Sequence, residues 1–509
     1  MAKGTEMRFP RSSGILLHPT SLPGPHGSGD FGAAAYHFVD WLVLSGQKMW
    51  QMLPLGGTGP LNSPYMSRSA FAGNQLLIDL HELAGNGWLT AEELLPDADF
   101  DAQQIQFPLV QKFRMDRLRL AANRFFAEQH HYRADFVSFC TAEQSWLENY
   151  TLFMALTEKF KGLEWGEWPL EFAHRNAEAL SKARESLADE ISFCQFCQWC
   201  FFRQWRKLKS YANDRGVRIV GDMPIFVAYQ SADVWAKQHL FELGADNKPT
   251  VIAGVPPDYF SATGQRWGNP LFRWPVHEQE NYAWWIERMR KTVEMYDLVR
   301  IDHFRGFAGY WEIPAAEPTA MNGRWMPGPG EKLFTAIREA LGTLPIIAED
   351  LGVITPDVIA LLKKLDLPGM RVLQFAFGGS TDNAYLPHNF INNMVVYVGT
   401  HDNDTTIGWF TSASEHERSF VRKYLRTDAK EINLDLIHAA SGSVADMAIY
   451  TMQDVLALDS AHRMNVPGVA DGNWGWRFTW EQVSENYSER LYEMTALHGR
   501  CEADRLKIY

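Results

Sequence analysis

A chain of 509 residues is long enough for about three domains at roughly 150 residues each, or for one enlarged α/β barrel. Its 46% hydrophobic and 21% charged residues suit a globular chain with a sizeable core and exclude a disordered one. A net charge of -13 disfavours nucleic acid and acidic membranes as partners, and no apolar run of about 18 residues is present to cross a bilayer. The first residues, 1–14, lack an apolar stretch followed by a small-residue cleavage site, so a cytoplasmic location is expected.

The opening reads as a beta-alpha-beta unit. A short apolar strand over 14–17 precedes an amphipathic helix over 31–47 that closes at Gly46, and a strand over 48–55 ends at Pro54 and the Gly56-Gly57 pair. From 61 to 190 the pattern turns helical: Thr90 with Glu93 forms a capping-box signal, and helices are predicted over 111–129, 143–159 and 176–187 without a clear strand. This stretch is expected to be a mostly helical insertion subdomain at 61–190. The first architecture then resumes with a helix over 193–213 and a strand over 217–220. Cys194, Cys197 and Cys200 on that helix have the spacing of part of an iron-sulfur motif, but no fourth cysteine lies nearby. Set among Phe193, Phe196, Trp199, Phe201, Phe202 and Trp205, they read as small core hydrophobes.

Residues 225–280 are rich in Gly, Pro and aromatics and read as the wall of a site. Beyond them the rhythm tightens. Strands are predicted over 298–301, 346–348, 371–375 and 394–399; helices over 281–296, 331–341, 356–365 (capped by Thr355), 412–425 (with Ser412 and Glu415 as a capping box), 444–456 and 484–497. Alternating strands and helices predict a parallel sheet covered by helices, here a (β/α)8 TIM barrel built from 1–60 and 191–509 with helical and loop-rich insertions. A doubly wound sheet shares the local rhythm. Against it, no G-x-G-x-x-G follows the first strand, and polar candidates sit at the ends of many strands.

Four of those candidates are carboxylates: Asp222, Asp302, Glu349 and Asp402, each expected just beyond a buried strand and therefore at the carboxyl-terminal mouth of a barrel. Breaking a glycosidic bond needs such a set. One protonated carboxyl gives a proton to the departing oxygen, and another carboxylate attacks the anomeric carbon. Arg300 shares strand parity with Asp302, so its cation is placed to oppose protonation of that carboxyl. His303 is a candidate hydroxyl ligand, and the pair His401-Asp402 repeats the pattern at another strand end. Asn403 and Asp404 read as an Asx-rich turn that needs no further role. With 19 Trp, 17 Tyr and 31 Phe, the chain has aromatics to spare for stacking against pyranose rings. No H-E-x-x-H, zinc spacing or complete calcium loop is present, and Gly56, Gly57 and Gly59 lack the lysine of a P-loop, so neither metal nor cofactor is expected.

The chain resembles the 4-alpha-glucanotransferases of glycoside hydrolase family 77, called amylomaltase in bacteria and disproportionating enzyme in plants, which are relatives of alpha-amylases. The resemblance runs through HPTSLPGPHGSGDFG at 18–32, SPY at 63–65, GDMPIFV at 221–227, GVPPDYFSATGQRWGNP at 254–270, RIDHFRG at 300–306, AEDLG at 348–352, GTHDNDT at 399–405 and RMNVPG at 463–468. It implies Asp302 as nucleophile, Glu349 as general acid/base and Asp402 as transition-state stabiliser of a double displacement. It further implies Arg300 and His401 as sugar- and nucleophile-organising residues, Asp222 as an additional glucose ligand and Tyr65 as a donor-end stacking residue. The loop with Tyr259, Gln265 and Trp267 would cover the chain beside the scissile bond, and Asn465 would lie on the acceptor side or in a covering loop. Core packing is the competing reading for Tyr65 and Trp267. The family lacks a separate C-terminal β domain, which matches the end of this sequence. The implied partners are maltooligosaccharides, amylose or other alpha-1,4-glucans, handled by a monomer or weak homo-oligomer. An alpha-1,4-glucan hydrolase and a non-catalytic glucan-binding protein are the competing functions.

Overall fold

Short apolar segments bounded by Gly, Pro and Asx turns form strands wherever a helix follows to cover them. The computed structural model describes residues 9–127, 131–257 and 261–504. In chain order its strands are β1 (Ser12–Leu16), β2 (Met49–Gln51), β3 (Arg218–Pro224), β4 (Val251–Val255), β5 (Gln265–Pro270) and β6 (Leu298–Asp302). They continue with β7 (Gly309–Pro314), β8 (Arg324–Pro327), β9 (Ile346–Ala348), β10 (Gly369–Val372), β11 (Met394–Tyr397) and β12 (Met447–Thr451). Eight of them form one parallel sheet in the order β10-β11-β12-β1-β2-β3-β6-β9. Its two ends meet where the Ala348 N–H donates to the Pro368 carbonyl at 2.9 Å and the Met370 N–H donates to Asp350 Oδ1 at 2.6 Å. The result is the (β/α)8 barrel. Strands β1, β11 and β12 are buried along their whole length, because helices cover the outer face while side chains fill the inner one.

The eighth strand corrects the sequence reading. Residues 444–456 were expected to form one helix, yet β12 pairs with both β1 and β11, and only Met452–Val455 is helical. A fully buried apolar run carries no period that separates strand from helix, and pairing on both sides decides for the strand. The helix expected over 412–425 starts later, at Glu415–Leu425, and is preceded by an unanticipated one at Thr406–Ser412. Ser412 ends the first; the capping box belongs to Ser414 and Glu417, two residues further on. A helix at Ile432–Gly442 was not anticipated. Strand β10 starts two residues before its expected position and gives way to a 3-10 turn at Leu373–Phe375.

Between β2 and β3 the described residues contain helices and no strand, the longest being Phe107–Ala127 and Ala188–Asp214. Thr90 and Glu93 make their reciprocal bonds, at 2.8 and 3.3 Å, but over a single 3-10 turn. Cys194, Cys197 and Cys200 are buried free thiols whose ionisation burial opposes. No helix among the described residues is long and apolar enough to cross a membrane.

The wall at 225–280 holds more order than its composition announced. Strands β4 and β5 join β7 and β8 in a four-stranded antiparallel sheet, ordered β5-β4-β7-β8, over a small core of Ile252, Ile313 and Ala320. Gly254 reads as a breaker in sequence. Here it lets two strands approach: a Cβ at that position would lie 2.2 Å from the Gln265 carbonyl oxygen.

Candidate active site

Strands β3, β6 and β9 are neighbours, and their register decides which side chains meet. Asp222 pairs with Arg300, Pro224 with Asp302, and Ile301 with Ala348, the residue before Glu349. Asp222 lies inside β3 and Asp302 is the last residue of β6, whereas both were expected just past their strands. The strand twist and pleat put Asp222, Arg300 and Asp302 on one face.

Arg300 organises that face. Its Nη1 donates to both carboxylate oxygens of Asp222 at 2.7 and 2.6 Å, and its Nη2 lies 3.0 Å from Asp302 Oδ1. Its Nε donates to the Met370 sulfur at 3.4 Å. Burial works against the cation, but Asp222 and Asp302 together hold it well above its usual value. The Tyr65 hydroxyl donates to Asp222 Oδ2 at 2.8 Å, so that carboxylate is both buried and satisfied. Asp302 is less enclosed, its side chain 31% exposed. Burial nonetheless pushes its carboxyl above the ordinary value, with Arg300 opposing and the charges of Asp222 and Asp402 adding. The cation therefore faces Asp302 as parity predicted, but it moderates rather than reverses the effect of burial.

Glu349 follows β9 at once. Its Oε2 accepts the His303 N–H and its Oε1 the Leu351 N–H, each at 2.7 Å, which fixes the carboxyl plane. Burial raises this carboxyl to about 7; Arg300 and the two amides oppose the shift and the Asp302 charge reinforces it. His303 stands in the left-handed region at φ 53, where the backbone turns sharply enough to aim its N–H at Glu349. Its ring is buried, which lowers its pKa to about 3 and keeps it neutral, and it meets Trp267 edge-on at 4.8 Å. Trp267 in turn donates to Gln265 Oε1 at 3.0 Å. Tyr259 lies outside the described residues.

The third carboxylate is held by the loop after β11. Asp402 Oδ1 accepts from Asn465 Nδ2 at 2.7 Å and lies 3.3 Å from His401 Nε2, while Arg463 donates to the Asp402 carbonyl at 2.9 Å. Asn465, expected on the acceptor side or in a covering loop, donates directly to Asp402. Asn403 and Asp404 build the turn: Asn403 Oδ1 accepts the Thr400 N–H at 2.9 Å, and Asp404 Oδ2 accepts from Ser460 at 2.8 Å. The His401 ring stacks on Tyr65 with centroids 5.1 Å apart, and Trp474 flanks both rings at 5.8 and 6.1 Å.

All described members of the expected set thus join one connected group, through Tyr65, Arg300, His303 or Asp402. Sequence reasoning missed Trp474 and Met370. Trp474 sits at φ 66 in a Gly-Asn-Trp-Gly stretch whose turn character was readable, though its target was not. Met370 is an apolar strand residue, and nothing in an apolar pattern marks its sulfur as an acceptor. No group of three or more His, Cys, Asp or Glu side chains among the described residues is arranged to hold a metal ion.

A closed parallel barrel that gathers carboxylates of unequal proton affinity at its strand ends, beside stacked aromatics, defines a barrel enzyme equipped for carbohydrate chemistry. The family profile described as 4-alpha-glucanotransferase matches residues 17–483, and the chain belongs to that family, glycoside hydrolase family 77. A 4-alpha-glucanotransferase of Thermus thermophilus is 50% identical over 96% of this chain and 99% of its own length. One from Streptococcus pneumoniae is 47% identical over 98% and 99%. Among solved structures, the amylomaltase from Streptococcus agalactiae in complex with acarbose superposes with a TM-score of 0.94 at 40% identity, covering 97% of this chain and all of that one. The amylomaltase from Corynebacterium glutamicum, 17% identical, shares the fold with a TM-score of 0.76 over 95% of this chain and 75% of its own.

Proposed function

We propose that this enzyme transfers alpha-1,4-glucan segments between maltooligosaccharides or amylose by a retaining double displacement. The observation that carries this reading is that Asp302, beside Arg300, and Glu349, whose carboxyl is raised to about 7, each directly follow a paired residue of adjacent strands, Ile301 and Ala348. Retention requires roughly 5–5.5 Å between the two carboxyls and inversion roughly 6.5–9.5 Å for an intervening water, and side chains on neighbouring strands leave backbones about 4.8 Å apart.

In the first step an Asp302 oxygen attacks the anomeric carbon as the glycosidic bond breaks, and the Glu349 proton goes to the departing 4-oxygen. A glycosyl ester on Asp302 and a carboxylate at Glu349 remain. In the second step Glu349 takes the proton of an incoming 4-hydroxyl, that oxygen attacks the same carbon, and Asp302 leaves with alpha geometry restored. Asp402, held by Asn465 and His401, is positioned to accept from ring hydroxyls and to favour the oxocarbenium-like state. Tyr65 offers its ring, braced by His401 and Trp474, to the donor sugar. Trp267 and Gln265, on the second sheet, form the side of the chain path. The helical stretch at 61–190 acts in this reading as an insertion in the barrel.

Maltotriose tests the reading. Transfer yields glucose together with a ladder of oligosaccharides longer than the substrate. Maltose and glucose in equal amounts, with nothing longer, would mean that water is the acceptor. A sugar ester trapped on Asp302 would support the double displacement, and one on another residue would overturn it.

A further inference from the structure

The second sheet has two edges. Strand β5 carries Gln265 and Trp267 toward the site, and β8 is the outer edge with no strand beyond it. On β8, Trp325 is 41% exposed, and no other Trp or Phe among the described residues is exposed to that degree. Such a ring is ordinarily buried, and its fixation here is unusual.

The Arg305 guanidinium lies under one face of Trp325, its Cζ 3.9 Å from the ring centroid, yet Arg305 is only 6% exposed. The cation is therefore sandwiched between ring and protein body, and the opposite ring face turns to solvent. Arg305 is tied down in turn, because its Nη1 donates to the Val353 carbonyl. Trp311, the register partner of Trp325 on β7, meets it edge-on at 5.2 Å. A flat aromatic face held from below and from the side loses little freedom when something stacks on it.

We propose that Trp325 is a stacking platform for a glucose unit of a long alpha-glucan, beyond the part of the chain that the carboxylates hold. Continuity with the site favours a glucan over another occupant: Arg305 is three residues past Asp302, and Val353 is four past Glu349, so the brace stands on the two segments that carry the reacting carboxyls. The neighbouring hairpin supplies planar polar groups suited to sugar hydroxyls, with Asn322 Nδ2 at 2.9 Å from Glu317 Oε2 and Arg324 Nε at 2.7 Å from Glu312 Oε1. The proposal rests on the glucan-transfer reading above and extends it to chain length.

The test compares wild type, Trp325→Ala and Trp325→Phe on maltotriose and on amylose, together with their retardation in gels containing amylose. Trp325→Ala is expected to lower kcat/KM for amylose about fivefold more than for maltotriose, the loss residing in KM, and to weaken gel retardation. Trp325→Phe, which keeps a flat face, restores most of both. Equal losses on the two donors would make Trp325 a structural lid for Arg305 and overturn the platform, as would unchanged retardation or a change only in self-association measured by sedimentation. Retardation needs no turnover. If wild type makes no longer products from maltotriose while Trp325→Ala still weakens retardation, the transfer reading fails and the platform stands.

Discussion

Replacing Glu349 by Gln separates proton donation from every other contribution of the site. Gln keeps a carbonyl acceptor for one of the two amides, from His303 and Leu351, that now fix the carboxyl at 2.7 Å, and it is nearly isosteric. It cannot deliver a proton. A positioned general acid contributes about 10² to 10⁴ in rate, so transfer from a glucan donor should fall by that factor, equivalent to roughly 3–5 kcal/mol of barrier. The pH dependence follows from the carboxyl at about 7. Burial disfavours its charged form, so the proton needed in the first step is present below that value and lost as pH rises through it. At pH 8 about a tenth of Glu349 keeps its proton, and wild-type kcat/KM should have dropped about tenfold from its plateau. A glycosyl fluoride donor bypasses the requirement, because fluoride leaves without a proton. Single-turnover fluoride release should therefore survive in Glu349→Gln and lose its alkaline limb, while the glucan reaction collapses. An equal loss with fluoride, or an alkaline limb that persists in the variant, would refute Glu349 as the donor.

Arg300→Met should leave the Asp222 carboxylate, with no exposed side-chain surface, without its cation, at a cost of about 3–5 kcal/mol in denaturant unfolding. Arg300→Lys should recover part of that stability but little turnover, since one ammonium cannot serve Asp222, Asp302 and Met370 together; full recovery of kcat by Lys would refute the argument. Asp454 is buried beneath the turn that follows Asp404, and burial raises it from 3.8 to about 6, so the protonated form suits the fold; the stability it contributes is present below 3.8 and lost as pH rises through about 6. Asp454→Asn, which keeps an acceptor for the Thr406 N–H at 2.6 Å, should therefore raise Tm at pH 8 by relieving up to about 3 kcal/mol and change it little at pH 3.5, an asymmetry that calorimetry at the two pH values checks.

What could be read from sequence and what could not divide along physical lines. Asp302 and Glu349 were legible as strand-end carboxylates because β6 is a buried strand that ends on Asp302 and β9 an apolar run that stops just before Glu349, and a barrel sends such ends to one mouth. Arg300 facing Asp302 was legible because strand parity is strict. The strand β12 was not, since Met447 to Thr451 is buried throughout and only pairing with β1 and β11 distinguishes it from a helix. The second sheet was hidden for a different reason: its strands contain Gly254, Gly268 and Pro270, which punctuate in isolation but here permit close approach and edge positions. Contacts across the site, such as Asn465 to Asp402 or Trp474 to Tyr65, depend on loops whose closure no local pattern encodes.

In the proposed reaction, the division of labour between Asp302 and Glu349 traces to the position of one guanidinium. Both carboxyls are raised by burial, and Arg300 opposes the shift in each. Arg300 reaches Asp302 at 3.0 Å and is bound to it as an ion pair, whereas Glu349 has no ion-pair partner among the described residues and is held only by two backbone amides. Asp302 thus has a contact that its anion uses and its acid form does not. Glu349 has no such contact, and burial outweighs Arg300 and the two amides to hold its carboxyl at about 7, where a proton is gained and lost near neutrality. A donor that must also act as acceptor in the next step needs that balance, and a cation placed against Glu349 instead would stabilise its anion and spoil the first step. The order of residues on β6 places them so: Arg300 and Asp302 share a face two positions apart and form an ion pair, whereas Glu349 follows the last residue of β9 and makes no ion pair with Arg300.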